Sequence, residues 1–277
     1  MTAPELAGPE LPGSGLPGSG LLKDTVVLIS GGTHGLGAGI ARRAAAEGAA
    51  GIAITGRSAE AGSRMAEDLT ELGVAALFLQ ADLADTQQAT STVARTIEHF
   101  GRLDAVVNAA GLTTRGSMTD TTPELFDQHI AVNLKAPFFI MADAIKHFKE
   151  REVPGAIVNI ITMSAHGGQP YLAPYVASKA GLAGLTRNAA HAHRWDRIRI
   201  NGVNIGWTAT EGEDLIQRRF HGGGDDWLEK ANASVPMGKL GQIDEIAEFV
   251  VFLLSPRSGV VTGSVIDWDQ NVVGAFD

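Results

Sequence analysis

From Thr25 onward, short runs of β-branched and apolar residues alternate with longer stretches of helical composition. The first run, Thr25-Val-Val-Leu-Ile-Ser30, is apolar without alternation, as expected of a strand covered on both faces. Leu36 to Glu47 then reads as a helix, with Gly48 near its stop. The same pairing recurs along the chain. Strands are expected at Gly51–Thr55, Ala75–Gln80, Asp104–Asn108, Ala156–Thr162, Arg199–Asn204 and Ser264–Asp267. Helices are expected up to Leu72, over Thr86–Phe100, Pro123–Lys149 and Ile243–Leu254, and in a segment carrying Tyr175 that ends near Trp195. Repeated βαβ units of this kind predict an α/β fold with a doubly wound parallel sheet of about seven strands and helices on both faces.

Two segments fall outside the repeat. Residues 1–22 are rich in Pro, Gly and Ser and read as a flexible N-terminal tail without the charged and apolar regions of a signal peptide. Residues 208–236 turn polar around Gly222-Gly-Gly-Asp-Asp226, which suggests a mobile lid on a single domain spanning 23–277. The chain of 277 residues is 44% apolar, enough for one large core. Its net charge of −9 argues against a nucleic-acid surface. No apolar run reaches the ~18 residues of a membrane span, so no membrane partner is expected. The absence of cysteine removes thiolate nucleophiles and Cys-based zinc sites, and it fits a cytoplasmic location. No His/carboxylate spacing suggests a metal.

The candidate chemistry lies in two places. Ser30-Gly-Gly-Thr-His-Gly-Leu-Gly37 sits between the first strand and the first helix. There, missing side chains let backbone N–H groups approach a pyrophosphate at the positive end of a helix. Far downstream, Tyr175 and Lys179 share a helix face at i, i+4. An ammonium so placed is expected to draw the phenol down from about 10 toward working pH and make it a usable acid or base.

The glycine spacing resembles the turn of the short-chain dehydrogenase/reductase family. Further segments match in the family's order: Asp82 after the third strand, Asn108-Ala-Ala-Gly111 after the fourth, Asn133 in the long helix, and Tyr175-x-x-x-Lys179. The resemblance runs from about Lys23 to Gly274 and implies a single-domain Rossmann fold with strand order 3-2-1-4-5-6-7. It implies a nicotinamide held by Gly31, Thr33, His34, Gly35, Leu36 and Gly37, with Asp82 and Leu83 at the adenine. Asn108, Ala109 and Gly111 would line the ribose, although Asn108 equally suits a structural amide between strands. Asp82 equally suits a helix-capping or turn aspartate. Ile205 and Gly206, with Thr208 or Thr210, would hold the carboxamide. Tyr175 would exchange the proton, Lys179 would hold the nicotinamide ribose, and the Asn133 carbonyl would keep a water in a proton relay. An asparagine in a helix can also simply bond its own backbone.

Thirteen residues before the tyrosine, where the family has serine, this chain has Thr162; Ser164 is the runner-up. At the end of the second strand, Thr55-Gly56-Arg57-Ser58 offers an arginine and no acid. That favours NADP(H), with NAD(H) the alternative, and Ser58 and His34 as further donors. The expected activity is hydride transfer between this cofactor and a small-molecule secondary alcohol or ketone, in a homotetramer or homodimer. The competing readings are a non-catalytic nucleotide-binding regulator of the same fold, and a lyase or epimerase without net oxidation. The substrate pocket is expected among His166, Gln169, Tyr171, residues 113–117 and residues 207–227. Glu211, Glu213, His221 and Asp225 there suit a hydroxylated compound or a solvated lid face.

Overall fold

A computed structural model describes residues 20–274; most of the expected N-terminal tail, residues 1–19, lies outside them. The sheet is seven-stranded and parallel, in the order β3-β2-β1-β4-β5-β6-β7. Its strands are β1 (Val26–Ser30), β2 (Gly51–Gly56), β3 (Ala75–Gln80), β4 (Ala105–Asn108), β5 (Gly155–Thr162), β6 (Ile198–Ile205) and β7 (Val265–Trp268). The helices are α1 (Gly35–Ala46), α2 (Ala59–Glu71), α3 (Thr86–Phe100), α4 (Pro123–Ile130), α5 (Ala136–Glu150), α6 (Ala173–His193), α7 (Glu211–Phe220), α8 (Trp227–Ala233) and α9 (Ile243–Leu254).

The unalternating apolar strands have the explanation their sequence suggested. Val27 and Ile29 of β1 face a core shared with α1, α2 and α9, while Leu28 faces the opposite core, shared with α3, α5 and α6. Both faces are therefore dry, and every position along β1 is buried. Leu28 pairs with Ala53 of β2 on one side and Val106 of β4 on the other. Strand order reverses beside β1, and the crevice at such a reversal opens at the strand C-termini.

Side-chain caps set the helix starts. Ser58 accepts from Ala61 N–H at 3.2 Å, Asp85 from Gln87 and Gln88 N–H, and Thr122 from Leu125 N–H ahead of Pro123. Gly101, at φ 74°, ends α3 in the left-handed conformation.

The long helix expected over Pro123–Lys149 is interrupted. Between α4 and α5, residues Ala131–Lys135 form a π turn in which Ala136 N–H reaches back to the Ala131 carbonyl. Pro137 supplies a reason: it has no N–H for the Asn133 carbonyl four residues earlier, so the regular ladder cannot continue there. The region 208–236, expected as a lid, holds α7 and α8 rather than unbroken loop. No helix among the described residues is long and apolar enough to cross a membrane.

One buried contact makes stability respond to acid. His147 Nε2 on α5 accepts the Leu103 N–H at 3.2 Å, which requires an unprotonated nitrogen. Burial first, then the Arg151 charge, hold this imidazole below its ordinary 6.5. The folded protein therefore binds a proton there less readily than the unfolded chain, and stability falls as pH drops from 6.5 through the lowered value. His147→Gln should flatten this part of the profile of denaturation midpoint against pH; an unchanged acid slope assigns it elsewhere.

Candidate active site

A cavity of about 1210 Å³ opens at the C-terminal ends of the central strands, running from the glycine turn at one end to Tyr175 and Trp207 at the other. The turn fits a pyrophosphate. Gly35 has φ +54° and no protein atom within 4 Å of where a Cβ would stand, so its backbone borders open cavity. A Cβ on Gly37 would lie 2.2 Å from the Gly31 carbonyl oxygen, so only glycine allows α1 to start so close to β1. No side chain caps the N-terminus of α1 and its first turn has no acid, which leaves the positive helix end to an outside anion.

Arg57 and Ser58 follow β2 on the cavity wall. Among the described residues the acids on that wall are Asp82, Glu213 and Asp269, and none of them stands at the tip of β2. Ser58 spends its oxygen on the α2 cap. Asp82 and Leu83 also line the cavity, but Asp82 Oδ1 accepts the Ala84 N–H at 3.0 Å, so it makes a turn as well. Asp85, which the sequence reading passed over, is the helix cap. Ala109 and Gly111 line the wall, whereas Asn108 lies beneath it. Its Nδ2 donates to Asn159 Oδ1 at 2.8 Å, and Asn159 Nδ2 donates to Thr186 Oγ1 at 2.9 Å. Asn108 therefore ties β4 to β5 and α6, the structural alternative, with Asn159 an unforeseen partner.

Tyr175 and Lys179 project from α6 into the same cavity and are 9% and 3% exposed. Lys179 Nζ donates to the Ile160 carbonyl of β5 at 2.7 Å and lies 6.0 Å from the centre of the Tyr175 ring. Burial pushes the amine from 10.5 down to about 8. Burial also pushes the phenol from 10.0 up to about 12, opposed by its hydrogen bond with Thr162 and by the Arg115 charge. This departs from the expected lowering. Loss of water around both groups outweighs the attraction of an ammonium that is anchored on a carbonyl rather than on the phenol oxygen.

The two candidate hydroxyls form one chain toward Gln169. Thr162 ends β5 and bonds the phenol, while Ser164 Oγ donates to Gln169 Oε1 at 2.7 Å and receives Thr162 Oγ1 at 3.3 Å. Asn133 is fully buried behind the wall. Its side chain takes the Leu112 N–H at 2.7 Å and gives to the Leu112 carbonyl and to Ser178 Oγ, so it clamps the loop after β4 to the tyrosine helix. Ser178 donates in turn to the Tyr175 carbonyl at 2.8 Å.

Ile205, Gly206, Thr208 and Thr210 line the cavity after β6. Thr210 also caps α7 by accepting the Glu213 N–H, and Thr208 donates to the Gly206 carbonyl. Of the expected pocket residues, Gln169, Tyr171, Glu213 and His221 reach the cavity. His166 turns away to Asp267 at 2.9 Å, Asp225 pairs with Arg218, and Glu211 does not reach the wall. Arg115 lines the wall as well. The sequence reading included it only within residues 113–117, and its place in a polar loop after the Asn108–Gly111 segment was the available signal.

Comparison with known proteins accords with this geometry. The family model described as Enoyl-(Acyl carrier protein) reductase matches residues 31–270. A Thermotoga maritima protein described as an uncharacterized oxidoreductase is 37% identical over 248 residues, covering 88% of this chain and 95% of its own length. The L-rhamnose 1-dehydrogenase (NAD(P)(+)) of Azotobacter vinelandii is 33% identical over 253 residues, 88% of this chain and 94% of that protein. The crystal structure of a short chain dehydrogenase from Mycobacterium smegmatis superposes with a TM-score of 0.79 at 28% identity, covering 93% and 97% of the two chains. A family match over most of the sequence, relatives of this identity and a shared strand order together place the chain in the short-chain dehydrogenase/reductase family of NAD(P)-dependent oxidoreductases.

Proposed function

We propose that the protein is an NADP(H)-dependent oxidoreductase interconverting a secondary alcohol and a ketone, with Tyr175 exchanging the proton. The observation that carries this reading is the meeting of a buried phenol, its hydroxyl partner Thr162 and a buried amine on the wall of one cavity whose other end is a glycine cradle. A bound nicotinamide supplies hydride to the substrate carbon or removes it. The chain's own residues handle the proton and the orientation.

In reduction, Tyr175 starts as a neutral acid, because burial keeps its proton on at neutral pH. It gives that proton to the carbonyl oxygen, and the resulting phenolate is stabilised by Thr162 and the nearby Lys179 ammonium. In oxidation the same oxygen takes the proton back. Thr162, beside the phenol, can turn its proton from the long 3.3 Å bond with Ser164 to the substrate oxygen, whereas Ser164 donates to Gln169 at 2.7 Å. Lys179, lowered to about 8, keeps its charge at neutral pH yet can pass a proton on. The Asn133 carbonyl, deprived of its Pro137 donor, suits the relay beyond it.

Arg57 supports NADP(H), since a free guanidinium after β2 answers a 2′-phosphate while an acid would answer a ribose hydroxyl. Residues 208–236 serve as the substrate lid, with Thr208, Thr210, Glu213 and His221 turned to the cavity. Phe126 on α4 and Phe138 on α5 are 42% and 47% exposed, which supports pairing between subunits along these helices.

Reduced-nicotinamide absorbance with an alcohol and ketone panel tests the reading. Tyr175→Phe should lower kcat by about a thousandfold while cofactor Kd changes little; retained turnover would remove Tyr175 from the chemistry. Thr162→Val should collapse turnover and Ser164→Ala should spare most of it, and the opposite result transfers the role. Arg57→Ala should reduce the NADP-to-NAD preference by about tenfold or more, and a wild-type preference for NAD would contradict the assignment. Tyr171→Phe leaves Tyr175 as the sole tyrosine. In that variant without cofactor, phenolate absorbance should stay absent through pH 10 while the circular dichroism remains native, as burial to about 12 requires. A transition near neutrality would mean that the ammonium dominates after all.

A further inference from the structure

We propose that Arg115 is the counter-ion of an acidic substrate, so that the alcohol or ketone taken by this site carries a carboxylate. The inference rests on the oxidoreductase reading and narrows its substrate class. Arg115 lies on the cavity wall in the loop between β4 and α4, and no carboxylate among the described residues comes within ion-pair distance of it. Its plane is held in place. The guanidinium carbon sits 5.4 Å from the centre of the Tyr171 ring, Nη1 donates to the Thr113 carbonyl at 3.1 Å, and Nη2 faces His221 Nε2 at 3.4 Å.

These two contacts use one N–H from each terminal nitrogen and leave one on each. Two terminal N–H groups are thus left for a planar anion on the cavity side. Arg115 Nε is buried without a partner. Arg115 and Tyr175 line the same cavity, and Tyr171, which packs on the guanidinium, lies four residues before Tyr175.

Two acids oppose Arg115 at this end of the wall: Asp269, whose Oδ2 accepts the Asn271 N–H at 3.3 Å and its Nδ2 at 2.8 Å, and Glu213. Its Oε1 already receives the Trp207 Nε1–H at 2.8 Å and the Gln217 amide at 2.7 Å, and its effect on Tyr175 is smaller than that of Arg115. With both carboxylates engaged in hydrogen bonds, Arg115 is the group here suited to meet an anion. The other cavity-lining guanidinium, Arg57, belongs to the opposite end, after β2.

The test compares kcat/KM of the cofactor-loaded enzyme for 2-, 3- and 4-oxo acids with those for their methyl esters, together with dihydroxyacetone phosphate. Wild type should prefer at least one acid over its ester by about tenfold or more, and Arg115→Gln should bring that ratio to about 1, chiefly through KM. Arg115→Lys keeps the charge without the fork and should give an intermediate ratio, which separates lost recognition from a folding defect. A preference for esters, or an acid-to-ester ratio unmoved in both variants, overturns the proposal. Preference for the phosphorylated ketone over every oxo acid overturns the carboxylate assignment. Turnover of neutral ketones alone sinks this inference and leaves the oxidoreductase reading standing, whereas no turnover of any compound with either nicotinamide sinks both.

Discussion

The hydrogen bond from Lys179 to the Ile160 carbonyl, 2.7 Å long and buried, fixes the relation between the tyrosine helix and the central sheet. A lysine amine taken out of water has to find a strong acceptor or lose its proton, and here it finds a strand carbonyl and still falls to about 8. Together with the Asn159–Thr186 bond further along, this contact sets the height of α6 over β5. Tyr175, one turn earlier on the same face, is thereby brought against Thr162 at the strand's end.

Around this contact the protein uses amides as rigid spacers. Asn108, Asn159 and Thr186 link β4, β5 and α6 beneath the cavity floor, while Asn133 and Ser178 join the loop after β4 to the tyrosine helix. Each is buried, so loss of one partner would leave a polar group stranded in an apolar layer. The π turn at Ala131–Lys135 belongs to the same arrangement: it places Asn133 inward, and Pro137 supplies the break. Rigidity on the catalytic side contrasts with the region after β6, where α7 has no buried residue and is held mainly by polar contacts such as Arg218 with Asp214 and Asp225.

Charge is unevenly divided along the cavity. The glycine turn offers backbone donors and a positive helix end, and Arg57 stands beyond it. The tyrosine end has an amine, a guanidinium braced by Tyr171 and His221, and two carboxylates, Glu213 engaged by Trp207 and Gln217 and Asp269 engaged by Asn271. A protein with a net charge of −9 thus keeps positive groups where anionic oxygen would have to dock.

The sheet was legible in the sequence because its strands are buried on both faces, and unbroken runs such as Val26–Ser30 carry that signal without reference to any distant residue. The glycine turn and the Tyr175–Lys179 pair were legible for a similar reason, since spacing along one turn or one helix face is a local property. The break in the long helix was missed because apolar periodicity continues across a π turn; Pro137 was the one local sign of it. The proton affinity of Tyr175, the partnership of Asn108 with Asn159, the hydrogen-bond partners of Thr162 and Ser164, and the placement of Arg115 were decided only by the tertiary structure. Each depends on how much water is excluded and on which distant segment fills the gap, and neither quantity is encoded in the spacing of neighbours along the chain.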